Sequence, residues 1–80
     1  MQSSDVKHLI QSQLSDCRVL TNGEGCNFQI TVVGDIFAKL TPLKRQQLVY
    51  DCLHEKITDG SIHAVSIKTY TTQQWNELNQ

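Results

Sequence analysis

Apolar and polar positions divide the chain into six segments. From Val6 the apolar residues Leu9, Ile10 and Leu14 follow at i+3, i+4 and i+8, one stripe that predicts an amphipathic helix stopping near Ser15-Asp16. Ser3 or Ser4 can cap it, and Asp5 in its first turn suits the positive helix end. Residues 17–21 form a weaker strand candidate, and Asn22-Gly23-Glu24-Gly25 reads as a flexible turn. Residues 28–33 are the clearest strand, with Phe28, Ile30 and Val32 on one face against Gln29 and Thr31. Two strands joined by a short glycine-containing loop predict an antiparallel hairpin. Gly34-Asp35 breaks the second strand, and residues 36–40 predict a short helical turn that plugs the core with Phe37. Thr41 as cap and Pro42 at the first helical position open a long helix. It runs to about Thr58 and buries Val49, Cys52, Leu53 and Ile57, with Tyr50 at the margin, until Asp59-Gly60-Ser61 ends it.

The last segment organises the rest. Residues 62–70 are mostly β-branched, aromatic or small, which suits a pleated, half-buried strand. Alternation puts His63, Val65 and Ile67 on one face and Ile62, Ala64 and Ser66 on the other. Thr71 followed by Gln74 makes a capping box, so a short helix begins there and Trp75 in its first turn can fold back onto the sheet. The order α-β-β-α-β-α places a crossover between the second and third strands, which should therefore run parallel with a right-handed connection. The predicted fold is a small α+β domain spanning residues 1–80, a three-stranded mixed sheet with helices on one face and the other partly open.

Composition narrows the function classes. Eighty residues make one domain. Seven basic against eight acidic residues leave a net charge of −1, which supplies no global attraction to nucleic acid or an anionic membrane. No long apolar run and no signal-type start is present, and the expected location is the cytoplasm. The three cysteines, Cys17, Cys26 and Cys52, are odd in number and widely spaced, which fits neither a disulfide scaffold nor a structural zinc site. No nucleophile elbow, phosphate loop or paired-carboxylate motif occurs, so the chain reads as non-enzymatic.

A few side chains remain as candidates. His63 alone makes neither a dyad nor a metal site, and a histidine at a strand start is ordinarily a hydrogen-bonded or half-exposed residue. Cys26 stands beside Gly25, as a possible ligand or as a small residue at a turn. Cys52 lies on the apolar face of the long helix, where packing is the favoured role; Cys17 is uninformative, and His8 and His54 read as solvated. Lys39, Lys44 and Arg45 form the one basic cluster. Cations in a first helical turn oppose the dipole by a few tenths of a kcal/mol, up to ~1, which suggests a phosphate or partner contact against the plainer reading of a solvated helix end.

The stretch Ile62-His63-Ala64-Val65-Ser66-Ile67-Lys68-Thr69-Tyr70-Thr71, with Trp75 four residues on, resembles the C-terminal signature of the BolA family, most of all its short IbaG-type bacterial members. The resemblance extends upstream through residues 28–37 and 44–50, nearly the whole chain in the right order and spacing. It implies a fold similar to type II KH domains. It also implies that His63 is an iron–sulfur ligand when the protein pairs with a monothiol glutaredoxin, in a 2Fe–2S cluster completed by the glutaredoxin cysteine and glutathione. A neutral imidazole can replace a thiolate on such a cluster and raise its potential. Family members take a second Cys or His from the first hairpin loop, which here points to Cys26. Many IbaG-like members instead place a His where this chain has Asn27, one residue later. Two further departures, Thr72 for the usual Pro and Gln74 for the usual Glu, keep the helix start and remove one charge. Some bacterial members are DNA-binding regulators, so a second reading assigns Lys39, Lys44, Arg45 and Lys68 to DNA. The KH-type GXXG loop is absent, which argues against sequence-specific RNA binding of that kind. A third reading is a scaffold for another protein. The expected free state is a monomer or a weak homodimer, with no membrane contact.

Overall fold

The computed structural model describes residues 2–24 and 27–79. Among these residues are four α-helices, α1 (Ser3–Gln13), α2 (Pro42–Cys52), α3 (His54–Thr58) and α4 (Thr72–Leu78), and three strands, β1 (Arg18–Glu24), β2 (Asn27–Val33) and β3 (Ala64–Tyr70). A 3-10 turn, Asp35–Lys39, follows β2. The sheet order is β1-β2-β3; β1 pairs antiparallel with β2, and β2 pairs parallel with β3 from Asn27↔Ala64 to Val33↔Tyr70. This is the predicted mixed sheet.

One face of the sheet carries the core. Val19, Phe28, Ile30 and Val32 are buried with Val6 and Ile10 of α1 and with Val49 and Cys52 of α2, and Val65 and Ile67 of β3 pack against them. Phe37 is fully buried, so the 3-10 turn is the plug that its position predicts. The opposite face is open: Gln29, Thr31, Ser66 and Lys68 line a shallow hollow on it. Thr41 caps α2, its hydroxyl accepting from the Lys44 N–H at 3.3 Å.

Four details depart from expectation. The first helix starts one residue earlier, with Gln2 as cap rather than Ser3 or Ser4, because the Asp5 carboxylate accepts from the Gln2 N–H at 2.9 Å. It also ends at Gln13, before Ser15-Asp16; the Gln11 side-chain amide donates to the carbonyls of Leu14 and Cys17, which holds the chain out of the helix. Asn22, Gly23 and Glu24 belong to β1 rather than to a turn, since the antiparallel ladder continues through Glu24↔Asn27. Gly23 makes this possible: at φ +140° it lies so close to the Asn27 carbonyl that no Cβ would fit. Finally, the long helix is two helices. Leu53 sits at φ −109°, ψ 1°, its N–H bonded to the Tyr50 carbonyl three residues back, and α3 restarts when Ile57 donates to Leu53. Leu53 is fully buried at this break.

Candidate functional site

The two ends of β3 are built differently. Its C-terminal end is braced by several contacts. The Tyr70 carbonyl accepts from the Gly34 N–H at 2.9 Å, which extends the parallel ladder past the strand. Thr71 and Gln74 form the predicted capping box: the Thr71 hydroxyl accepts from the Gln74 N–H at 3.1 Å, and Gln74 Oε1 accepts from the Thr71 N–H at 2.9 Å. Trp75 folds back as its position predicts, with ring centroids 5.5 Å from Tyr70 and planes tilted by 52°. Arg45 reaches across from α2, donating through Nε to the Leu40 carbonyl at 3.1 Å and through Nη1 to Gln74 Oε1 at 3.2 Å.

At the N-terminal end the strand begins with Ala64, one residue after His63. The predicted alternation therefore does not reach back to residues 62 and 63. Ile62 is buried, not on the Ala64 face, and His63 is exposed rather than aligned with half-buried Val65 and Ile67. The cause is the turn that precedes it. Gly60 takes φ +86°, Asp59 Oδ1 accepts from the Ser61 N–H at 2.8 Å, and Ile62 N–H bonds the Lys56 carbonyl at 3.1 Å, which turns Ile62 into the core. His63 is then left outward with no side-chain hydrogen bond among the described residues.

Cys26 lies outside the described residues. The register around it is described: Asn27, the residue after Cys26, pairs with Ala64, the residue after His63. A shallow depression of about 350 Å³ at this end is lined by Asn22, Gly23, Asn27, Phe28, Ala64 and Val65, among others. Among the described residues no three His, Cys, Asp or Glu side chains converge as a metal site.

The other cysteines are core residues. Cys17 and Cys52 are both buried and free. Burial pushes both thiols above their ordinary value, with neighbouring Asp16 adding to the effect on Cys17 and Asp51, then Cys17, adding to it on Cys52. His8 and His54 are exposed on their helices.

The basic residues do not form one patch. Lys39 and Lys44 are exposed near the start of α2. Lys68 points from the open face of the sheet, away from the face that α2 covers. Arg45 is half-buried and occupied by Leu40 and Gln74, so its guanidinium is a clamp between α2 and α4. Sequence reasoning missed this clamp, and only the pairing of Arg45 with Gln74 across 29 positions reveals it.

Fold and junction together define a small α+β module that offers an exposed histidine at one end of its sheet. The model of BolA-like proteins matches residues 3–74. The acid stress protein IbaG of Escherichia coli is 40% identical over 75 residues, 94% of this chain and 89% of the relative. The DNA-binding transcriptional regulator BolA of Vibrio cholerae is 41% identical over 66 residues, 82% of this chain and 61% of the relative. A solved structure of a bolA protein homologue from Coxiella burnetii matches with a TM-score of 0.82 at 35% identity, covering 95% of this chain and 97% of that one. The chain belongs to the BolA family. No helix among the described residues is long and apolar enough to cross a membrane.

Proposed function

We propose that this protein is an iron–sulfur adaptor that binds a monothiol glutaredoxin and shares a 2Fe–2S cluster with it. The observation that carries the reading is His63, exposed, unbonded among the described residues and held just outside the strand by the turn at Gly60. An exposed imidazole with no internal hydrogen bond has none to break before either nitrogen turns to a metal. Cys26 is the proposed second ligand, and the Asn27↔Ala64 pairing supports it by tying together the residues that follow the two candidates. When bound, the cluster would supply electron storage or be handed on to an acceptor protein. The chain's own task is narrower: to present the His63 imidazole, with the Cys26 thiolate as proposed second ligand, at one end of its sheet.

The test is a titration of cluster-loaded monothiol glutaredoxin with this protein, followed by visible circular dichroism, beside His63→Ala and Cys26→Ser. The expected result is a new spectrum saturating at about one to one, lost in His63→Ala. An identical spectrum with His63→Ala sinks the proposal. The Vibrio cholerae relative's name favours a second reading, a DNA-binding regulator using Lys39, Lys44, Arg45 and Lys68. It predicts duplex affinity that falls steeply with salt and drops further in Lys44→Glu, whereas absence of binding at low salt rejects it.

A further inference from the structure

β3 is an edge strand, since the sheet order places no strand beyond it among the described residues. The Tyr70 carbonyl accepts from Gly34, so Tyr70 turns its backbone polar groups toward β2. In a parallel ladder the orientation alternates, so Lys68, Ser66 and Ala64 also face β2, while Val65, Ile67 and Thr69 turn their N–H and C=O outward. The Ile67 carbonyl confirms the phase: it accepts from the Gln46 side chain of α2 at 3.4 Å rather than from β2. Apart from that long bond, no partner among the described residues covers this edge, and its one charge, Lys68, points to the open face rather than guarding the edge.

The same edge is flanked by a helix face that exposes two large hydrophobic side chains. Leu43, Gln46, Gln47 and Tyr50 share one side of α2 at i, i+3, i+4 and i+7, the side from which Gln46 reaches Ile67. Leu43 is 68% exposed and Tyr50 42%, and with Gln46, Gln47 and Asp51 they line a shallow hollow of about 160 Å³.

We propose that this surface pairs with a second copy of the chain, β3 against β3 antiparallel about a two-fold axis through Ile67. Self-complementarity carries the proposal. In that register the outward-facing residues meet as Ile67 with Ile67 and Val65 with Thr69, each a hydrogen-bonded pair. Ser66 of one copy then stands across from Lys68 of the other, so the strand's only charge meets a hydroxyl and never its own image. Gln46 marks the level of Ile67 on α2, so the same axis passes near Gln46 and Gln47 and brings the two α2 helices together head to tail. Leu43 of each copy then faces Tyr50 of the other, and Lys44 lies toward the other's Asp51. Among the described residues, the Gln46–Ile67 bond is the one hydrogen bond to this edge that must open. The two His63 residues end up roughly 26 Å apart, eight strand residues at about 3.3 Å each, so each site stays independent.

Sedimentation velocity on the full chain from micromolar to millimolar concentration tests this. A concentration-dependent dimer is expected that Leu43→Glu with Tyr50→Glu abolishes, with circular dichroism confirming the fold. Ser66 reads out the register. Ser66→Lys places like charges across the axis twice and should weaken the dimer by roughly fivefold, whereas Ser66→Glu meets Lys68 and should tighten it by about as much. A chain that remains monomeric at millimolar concentration overturns the proposal, as does a dimer indifferent to both Ser66 variants. Monomeric chain whose Leu43→Glu variant loses glutaredoxin binding also overturns it and gives the surface to that partner.

Discussion

The two ends of β3 make an instructive pair. Both are polar or aromatic sequence flanking the same strand, and both contain a titratable or hydrogen-bonding side chain that invites a functional reading. At Tyr70 the tertiary structure engages these residues: Gly34, Gln74, Arg45 and Trp75 all have partners. At His63 it leaves the imidazole exposed and unbonded among the described residues. The lesson is that residue type does not separate a site from a brace; what separates them is whether the neighbours already satisfy the group. Arg45 and His63 both read as ligand-contacting residues in the sequence; in the fold Arg45 already donates to Leu40 and Gln74, whereas His63 has no side-chain hydrogen bond among the described residues.

Substitutions at the closed end should therefore cost stability. Gly34→Ala comes first, because an added Cβ would lie 2.5 Å from the Cys17 sulfur. Overpacking of this kind costs about 2 kcal/mol, visible as a lower midpoint in urea, and a Cys17→Ala background should recover part of it. Trp75→Ala removes a half-buried aromatic from Tyr70 and should cost ~1.5 kcal/mol with the sheet intact, also measured in urea. Gln74→Ala breaks the capping box and frees Arg45, for a loss of ~1 kcal/mol in the same assay. A Gln74→Ala protein as stable as its parent would show that the closed end is not braced as described.

The open end should respond in the opposite way. His63→Ala is expected to shift stability by less than about 0.5 kcal/mol while removing the glutaredoxin-linked spectrum. A large loss of stability would make His63 a structural residue and erase the contrast. The smallest effect concerns the turn that delivers His63. Hydrogen bonding from Ser61 holds the Asp59 carboxyl below its ordinary value. A depressed folded-state value means the contribution is present above the ordinary carboxylate range and is lost as the pH falls through the folded value. A slight drop in thermal midpoint as the pH falls below about 4, reduced in Asp59→Ala, would show it.

Much of this was legible in the chain itself. The stripe Val6, Leu9, Ile10 and Leu14, the alternation in β2, Thr41-Pro42 and the Thr71–Gln74 box each specify a local element through periodicity or capping, and those act over a few residues. The family resemblance rested on the same stretches. Three things were decided only by tertiary structure. The helix break at Leu53 has no Pro or Gly to announce it and falls at a fully buried leucine. Extension of β1 through Asn22 and Gly23 depends on β2 lying close enough for Gly23 to admit it. The roles of Arg45 and His63 depend on contacts, or their lack, across tens of residues. Local physics writes the elements into sequence; whether a polar group is spent or left over is settled only when distant segments meet.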